Sequence, residues 1–431
     1  MTWYIEEQGK VYLDYNATTP IDKDVKQSIM DAFHIWGNPS SNNELGKKAK
    51  DGIEEARENV ARLLHVSAKE IFFTSGGTET NSWVIYSCIE HRKAVWGRDY
   101  KPHIIASAIE HPSILEPLRD LKKKQEIGKL LPIQFPNDIC SSDLTEIGID
   151  LQTGRVKLND LEEAFCERTC LVSVMTANNE TGVIQPVAEV AEIARKCENK
   201  FESRIFVHSD ASQAIGKIDV SVNALNADFV TVTGHKFYGP RIGALVLKDE
   251  SKVPLKALFL GGNQERSKRA GTENTPLIVG LGKAAQMALN GLQKYSEHMQ
   301  KIRDYFEKQL KETLNDKIMI NFEASERLPN TSSVVFVKYG GDASELLSKC
   351  KSFIASTGAA CHAATEQCSG VLTACGIRDE LARRTVRFSF GRDSTCDEVD
   401  RVMNELKAIM FMSRYGSSLL NAINKGPISG F

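Results

Sequence analysis

The chain has 431 residues, 54 basic and 56 acidic side chains and a formal charge of −2, with 42% hydrophobic, 26% charged and 7% aromatic residues. A chain this long and this apolar buries a sizeable core, which excludes intrinsic disorder. Near-neutral charge gives no electrostatic case for nucleic acid or an anionic membrane as partner.

No run approaches ~18 consecutive apolar residues, so no membrane span is expected. The N-terminus MTWYIEEQGK carries two acids and no apolar stretch, unlike a signal peptide. Ten cysteines are dilute in this length, and none forms C-x-x-C. No structural zinc or other metal is therefore expected. Free thiols fit a reducing, cytoplasmic compartment.

In chain order, Leu45, Ala49, Ile53, Ala56, Val60 and Leu63 step by four and three, which predicts one apolar helix stripe. Strands are predicted at Ile71–Thr74, Ile104–Ala108, Leu171–Thr176, Ile205–His208, Phe229–Thr233 and Ala244–Leu247. Most are continuous apolar runs, as in strands buried on both faces. Helical stretches fall between them, near 158–168 and 186–198, and strands alternating with helices point to an α/β domain with a mainly parallel sheet.

Beyond about 290 come a charged helix near 288–314, a strand Ser332–Val337 and a helix near 343–350. A small-residue loop at 356–370 and an alternating strand around Arg387–Phe390 follow. Thr395-Cys-Asp-Glu398 reads as a capping box for a last helix. The final residues, from Ser417 on, show little pattern. Two domains are expected: a large one at 18–290, and a small α/β one built from 1–17 and 291–431.

Five segments could carry chemistry. Thr74-Ser-Gly-Gly-Thr-Glu79 lies between a strand and a helix, where free N–H groups and the helix dipole favour an anion. It lacks the lysine of a Walker loop, and an ordinary turn is the competing reading. Thr233-Gly-His-Lys236 puts a lysine at a strand's carboxyl end, where α/β sheets bind ligands and a desolvated amine can form a Schiff base.

His208-Ser-Asp210, with Gln213 one turn on, offers a carboxylate able to pair with a pyridine nitrogen, or simply a helix cap. Asn178-Asn-Glu-Thr-Gly182 ends a strand and is also good turn sequence. Ser356-Thr-Gly-Ala-Ala-Cys361-His362 brings a thiol onto a sterically open loop, although most free cysteines are buried and inert. Cys375 sits in an apolar run and reads as core.

Taken together, in order and spacing, these segments resemble one family: the pyridoxal-phosphate-dependent, NifS-like cysteine desulfurases and selenocysteine lyases of the aminotransferase class V group. The resemblance runs from VYLDYNATTP at 11–20 to VRFSFGR at 386–392. It takes in GNPSS at 37–41, Glu110-His111 and AGTENTP at 270–276. The runs GHKFYGPRIGAL, ENTPLIVGLGKAA and GAACH look like the selenocysteine lyase branch.

The resemblance implies a fold type I transferase with a mainly parallel seven-stranded sheet. It implies that Lys236 carries the cofactor covalently, that His111 stacks on its ring and that Asp210 pairs with the ring nitrogen. Gln213 and Asn179 would lie about the phenolic oxygen. Gly77, Thr78, Thr233 and His235 would hold the phosphate, reached across a homodimer by Thr272. Arg387, with Asn38 and Asn179, would bind the α-carboxylate of an amino-acid substrate.

Cys361 would meet the substrate's selenium or sulfur. The implied reaction converts selenocysteine to alanine with release of selenium. The alternative is a cysteine desulfurase that leaves a Cys361 persulfide for an acceptor protein. Thr233 stands where many relatives have serine, with its hydroxyl kept. The loop HAATEQCSG at 362–370 departs from the Asp- and Pro-containing mammalian loop, which leaves chalcogen preference and any Cys361–Cys368 disulfide open.

Overall fold

The computed structural model describes residues 9–97, 100–127, 144–357 and 369–424. The chain divides into two compact units, one of 19–178 and 183–293, the other of 1–18, 179–182 and 294–431.

The larger unit is organised by a seven-stranded sheet. Its strands are β1 (Ile71–Thr74), β2 (His103–Ser107), β3 (Leu144–Ile147), β4 (Thr169–Ser173), β5 (Phe206–Asp210), β6 (Phe229–Thr233) and β7 (Gly243–Leu247). They lie in the order β1-β7-β6-β5-β4-β2-β3. The four contacts among β2 to β6 are parallel. Strand β7 runs antiparallel to both β6 and β1. Two reversals restore direction, so β1 points the same way as β6.

Six of the seven strands are buried along their whole length, which is why their central residues are mostly apolar. Strand β3 escaped prediction because Leu144-Thr-Glu-Ile147 is a half-exposed edge strand whose polar residues interrupt the run. Trp83, Val84 and Cys88 of helix Gly77–Trp96 pack with Ile114, Leu115 and Leu118 of helix Pro112–Ile127 against Phe72, Ile104, Phe206 and Phe229 of the sheet.

A buried ion pair supports the edge near β1. Arg57, on helix Glu44–Leu63, donates to Glu265 Oε1 at 2.7 Å and Oε2 at 3.0 Å, and to the Ile71 carbonyl at 2.8 Å. The Phe73 N–H donates to Glu265 Oε2 at 2.9 Å. Glu265, Arg266 and Ser267 all have left-handed φ, at 45°, 56° and 63°, a conformation that costs non-glycine residues energy and needs outside support.

The smaller unit contains a three-stranded antiparallel sheet of Thr385–Ser389, Thr331–Val335 and Met319–Ile320. Phe306, Phe336, Phe353, Phe388 and Phe390 form its aromatic core. Val11–Tyr12 pairs in parallel with Phe353–Ile354. At Gly391 a Cβ would fall 2.2 Å from the Tyr15 ring, so only glycine fits there.

The capping box forms as expected: the Thr395 N–H donates to Glu398 Oε2, and the Glu398 N–H to Thr395 Oγ1. The segment from Ser417, expected to be unpatterned, instead continues the last helix, Cys396–Asn424. Extending a nucleated helix costs little per residue, and Leu419, Leu420 and Ala422 are good helix formers.

Arg57→Leu strands the Glu265 carboxylate in the interior and should destabilise the protein by ~3–5 kcal/mol in urea unfolding. The double variant Arg57→Leu/Glu265→Leu should recover part of that loss. If the two substitutions prove simply additive, the pair does not support this edge.

Candidate active site

Because β1, β2, β4, β5 and β6 point the same way, their carboxyl ends share one edge of the sheet, where open α/β sheets bind ligands. Asp210 is the last residue of β5 and Thr233 the last of β6. A 3-10 turn, Gly234–Lys236, carries His235 and Lys236 directly after β6. His111 lies four residues beyond β2, and the Gly-rich turn follows β1. One edge thus collects the predicted His111, Asp210, Thr233, His235 and Lys236.

At the Gly-rich turn, helix Gly77–Trp96 starts without a side-chain cap. Its first N–H groups therefore have no partner within the helix, as at any helix start. A Cβ on Gly77 would sit 2.6 Å from Thr233 Oγ1, so glycine is required for β6 and the helix to approach this closely. Thr233 Oγ1 also lies 2.8 Å from Ser212 Oγ. Thr78 is exposed at the same turn. Glu79 folds back to accept from the Ser75 N–H at 2.9 Å, and Arg269 neutralises it with contacts of 2.8 and 3.2 Å.

Asp210 is buried, and its two oxygens accept from Ser212 N–H and Asn81 Nδ2, each at 2.9 Å. Asn81 Nδ2 also donates to Ser113 Oγ at 2.8 Å, and Asn81 Oδ1 accepts from Thr231 Oγ1 at 2.7 Å. Ser113 in turn holds His111 Nδ1 through its hydroxyl, at 2.8 Å, and its N–H, at 3.1 Å. Burial pushes the His111 imidazole below its ordinary pKa, and the Lys236 charge adds to this while Asp210 opposes it. His111 is thereby kept neutral and within electrostatic reach of both.

Burial likewise lowers His235 to about 4, with Lys236, Arg241, His111 and Lys217 adding to the effect. Glu110, beside His111, is fully enclosed. It accepts from Ser107 Oγ at 2.5 Å and the Met175 N–H at 2.7 Å. Burial raises its carboxyl to about 8, so at neutral pH it is largely protonated.

In the same unit, Asn38 and Thr272 are both exposed on loops. Gln264 links these loops, donating to Ser40 Oγ at 3.3 Å and accepting from the Gly271 N–H at 3.2 Å.

Asn179 and Arg387 belong to the other unit. Arg387 is 3% exposed. It donates to Asp14 Oδ1 at 2.7 Å and to the Asn179 carbonyl at 3.0 Å. Arg387 Nε and Asn179 Oδ1 are buried without a hydrogen-bond partner among the described residues, and a buried polar orphan is a common mark of a ligand site. Cys361, His362 and Cys368 lie outside the described residues.

Sequence reasoning missed Asn81, Ser113, Lys217 and Asp14. Asn81 had one available signal: it follows Thr78 by three, which puts both on one helix face. Among the described residues no cluster of His, Cys, Asp and Glu is arranged to hold a metal, and no helix is long and apolar enough to cross a membrane.

Comparison with known proteins matches the aminotransferase class-V family over residues 11–402. The rat (Rattus norvegicus) selenocysteine lyase is 41% identical over 420 residues, covering 92% of this chain and 94% of that one. The cysteine desulfurase IscS of Methanosarcina thermophila is 37% identical over 415 residues, covering 96% and 95%. Among solved structures, a NifS-like protein superimposes with a TM-score of 0.80 at 33% identity, covering 94% of this chain and 100% of that one. The chain therefore belongs to the aminotransferase class-V family, with the α/β architecture of its fold type I, pyridoxal-phosphate-dependent enzymes.

Proposed function

We propose that this protein is a pyridoxal-phosphate-dependent selenocysteine lyase, which takes selenocysteine to alanine and releases selenium. The alternative within the same site is a cysteine desulfurase. The observation that carries the reading is the buried chain His111–Ser113–Asn81–Asp210 at the sheet edge that also bears Lys236. These residues fit the cofactor. A neutral imidazole suits a ring face, a buried carboxylate suits a ring nitrogen, and an uncapped helix start with two hydroxyls beside it suits a phosphate. The selenocysteine preference is supported by the 41% identity to the rat lyase.

When bound, the cofactor acts as an electron sink for charge developing at the substrate's α-carbon. Asp210 would hold the ring nitrogen in the state that makes this effective. Lys236 Nζ would carry the cofactor, then take the α-proton and return it. Gly77, Thr78, Thr233 and His235 would hold the phosphate, with Gln213 and Asn179 near the phenolic oxygen.

Arg387 would clamp the α-carboxylate, assisted by Asn38 and Asn179, and Asp14 would keep the guanidinium plane in register. Cys361 would meet the chalcogen. If sulfur leaves, the Cys361 thiolate attacks it: a sulfur–sulfur bond forms as the carbon–sulfur bond breaks, and the carbon keeps the electron pair. A free thiol has a pKa of about 8.5, so this needs an activating neighbour, and His362 is adjacent. If selenium leaves, the carbon likewise keeps the electron pair and takes a proton to give alanine, so selenium departs at the zero oxidation state and an external thiol reductant takes it to selenide.

The active enzyme is proposed to be a cytoplasmic homodimer, with Thr272 reaching the partner's phosphate site. The exposure of Leu260 (92%) and Phe259 (48%), on a loop bridged to the segment leading to Thr272, supports that interface.

Purified protein should show the yellow absorbance of bound cofactor, and Lys236→Ala should lose both that band and alanine release. A band that persists in Lys236→Ala would refute the assignment.

Alanine release should be much faster from selenocysteine than from cysteine. Cys361→Ser should retain part of the selenocysteine turnover while abolishing turnover of cysteine. Comparable kcat/KM for the two substrates would instead make the protein a desulfurase.

Arg387→Lys keeps the charge but loses the planar fork. It should lower kcat/KM about 10–100-fold, chiefly through KM, as expected for loss of one charge-assisted hydrogen bond. An unchanged KM would remove Arg387 from carboxylate binding.

A further inference from the structure

Gln213 is 6% exposed and Lys217, one helical step later, is 3% exposed. Lys217 Nζ donates to the Gln213 backbone carbonyl at 2.8 Å and to Gln213 Oε1 at 3.0 Å. An ammonium has three donors and no acceptor, so only the oxygen end of the amide can face it. The NH2 end is therefore turned to the opposite side. Without such a partner a glutamine amide can flip, exchanging donor for acceptor with almost no change of shape.

The local backbone fixes where this ammonium sits. Gly216 has φ +74°, and a Cβ there would lie 2.7 Å from Phe237 Cβ. Glycine thus lets the turn after Asp210 pack directly against the residue that follows Lys236. Lys217 is close enough to contribute to the low pKa of His235. The charged and titratable groups of this neighbourhood are Lys217, His235, Lys236, His111, Arg241 and Asp210.

We propose that Lys217 is a positioning residue of the cofactor site. It locks the Gln213 amide with its NH2 toward the cofactor's phenolic oxygen and adds a buried positive charge that favours the anionic form of that oxygen. This inference rests on the pyridoxal-phosphate reading above. The sign follows from the charge: removing a cation from beside an acid–base group favours its protonated form, so the group releases its proton at higher pH.

The test is a pH titration of the visible band of the purified holoenzyme, together with the Kd of pyridoxal phosphate for the apo-protein. Lys217→Met should raise the midpoint of the band by about one pH unit and weaken cofactor binding about tenfold. Lys217→Arg should restore most of the wild-type midpoint. Should Lys217→Met fail to fold, Gln213→Glu carries the test. Its carboxylate pairs with Lys217 and keeps the turn intact but offers no donor, so its midpoint should also rise.

A Lys217→Met midpoint equal to that of the wild type, with only thermal stability reduced, would overturn the proposal and make Lys217 a packing residue. So would an unchanged midpoint in Gln213→Glu. Absence of any visible band in the wild-type protein would overturn the cofactor reading itself, which separates the two failures.

Discussion

The larger unit's site depends on a single side-chain amide. Asn81 donates to Asp210 and to Ser113 and accepts from Thr231, so three of its four hydrogen-bonding sites are used. It stands on the helix whose first turn forms the Gly-rich anion cup. The helix that presents backbone N–H groups at its start therefore also fixes the carboxylate of β5 and, through Ser113, the imidazole beyond β2. Thr231 extends the network to His208 Nε2 at 3.0 Å, and His208 Nδ1 meets Ser173 Oγ at 2.8 Å. Burial lowers His208 to about 4, so it joins as a neutral ring. In a low-dielectric interior such a network is rigid only when its members are satisfied, which holds these groups in place before any ligand arrives.

Some buried polar atoms without a partner among the described residues lie at or beside groups with proposed chemical roles, while Arg92, Arg155, Arg327 and Ser332 carry others elsewhere. Glu110 is enclosed with Oε2 lacking a partner among the described residues, and it is largely protonated at neutral pH because burial penalises its charge. A neutral carboxyl there ties the end of β2 to the segment after β4 without placing a second negative charge near Asp210. In the other unit, Arg387 Nε and Asn179 Oδ1 have no hydrogen-bond partner among the described residues, although burying unpaired polar atoms costs about 1–3 kcal/mol each. Among the described residues, folding gives no reason to keep them. A ligand that completes their hydrogen bonds does.

The sequence made one class of information easy to read and hid another. Strands such as Gly243–Leu247 are legible because burial on both faces removes polar residues from the run. Lys236 and Asp210 are legible because they end such strands, and the order of short motifs identified the family. Asn81 and Lys217 were not. A lone asparagine inside a helix offers only its spacing of three from Thr78, and its partners lie far along the chain (Asn81 to Asp210 spans 129 residues), while a lysine after a turn carries no local signal even with its partner Gln213 four residues away. The extension of the last helix to Asn424 was missed because weak amphipathic patterning cannot be distinguished from a loop by periodicity alone.

The residues proposed to bind substrate and cofactor act on features that selenocysteine and cysteine share. Arg387 meets a carboxylate, Lys236 an α-proton, and Asp210 and His111 a cofactor that is the same for both. None of these contacts depends on the chalcogen. Selenium and sulfur differ little in size, and a pocket separates such small differences by only ~1–3 kcal/mol. Strong discrimination must therefore come from acid–base state: which of the two leaving atoms is deprotonated at working pH, and whether the Cys361 thiol is. A thiol held protonated cannot attack sulfur but can still donate a proton to the carbon that keeps the electron pair as selenium departs. On that argument, specificity is set less by the shape of the site than by whatever controls the pKa of Cys361, with His362 the adjacent titratable group.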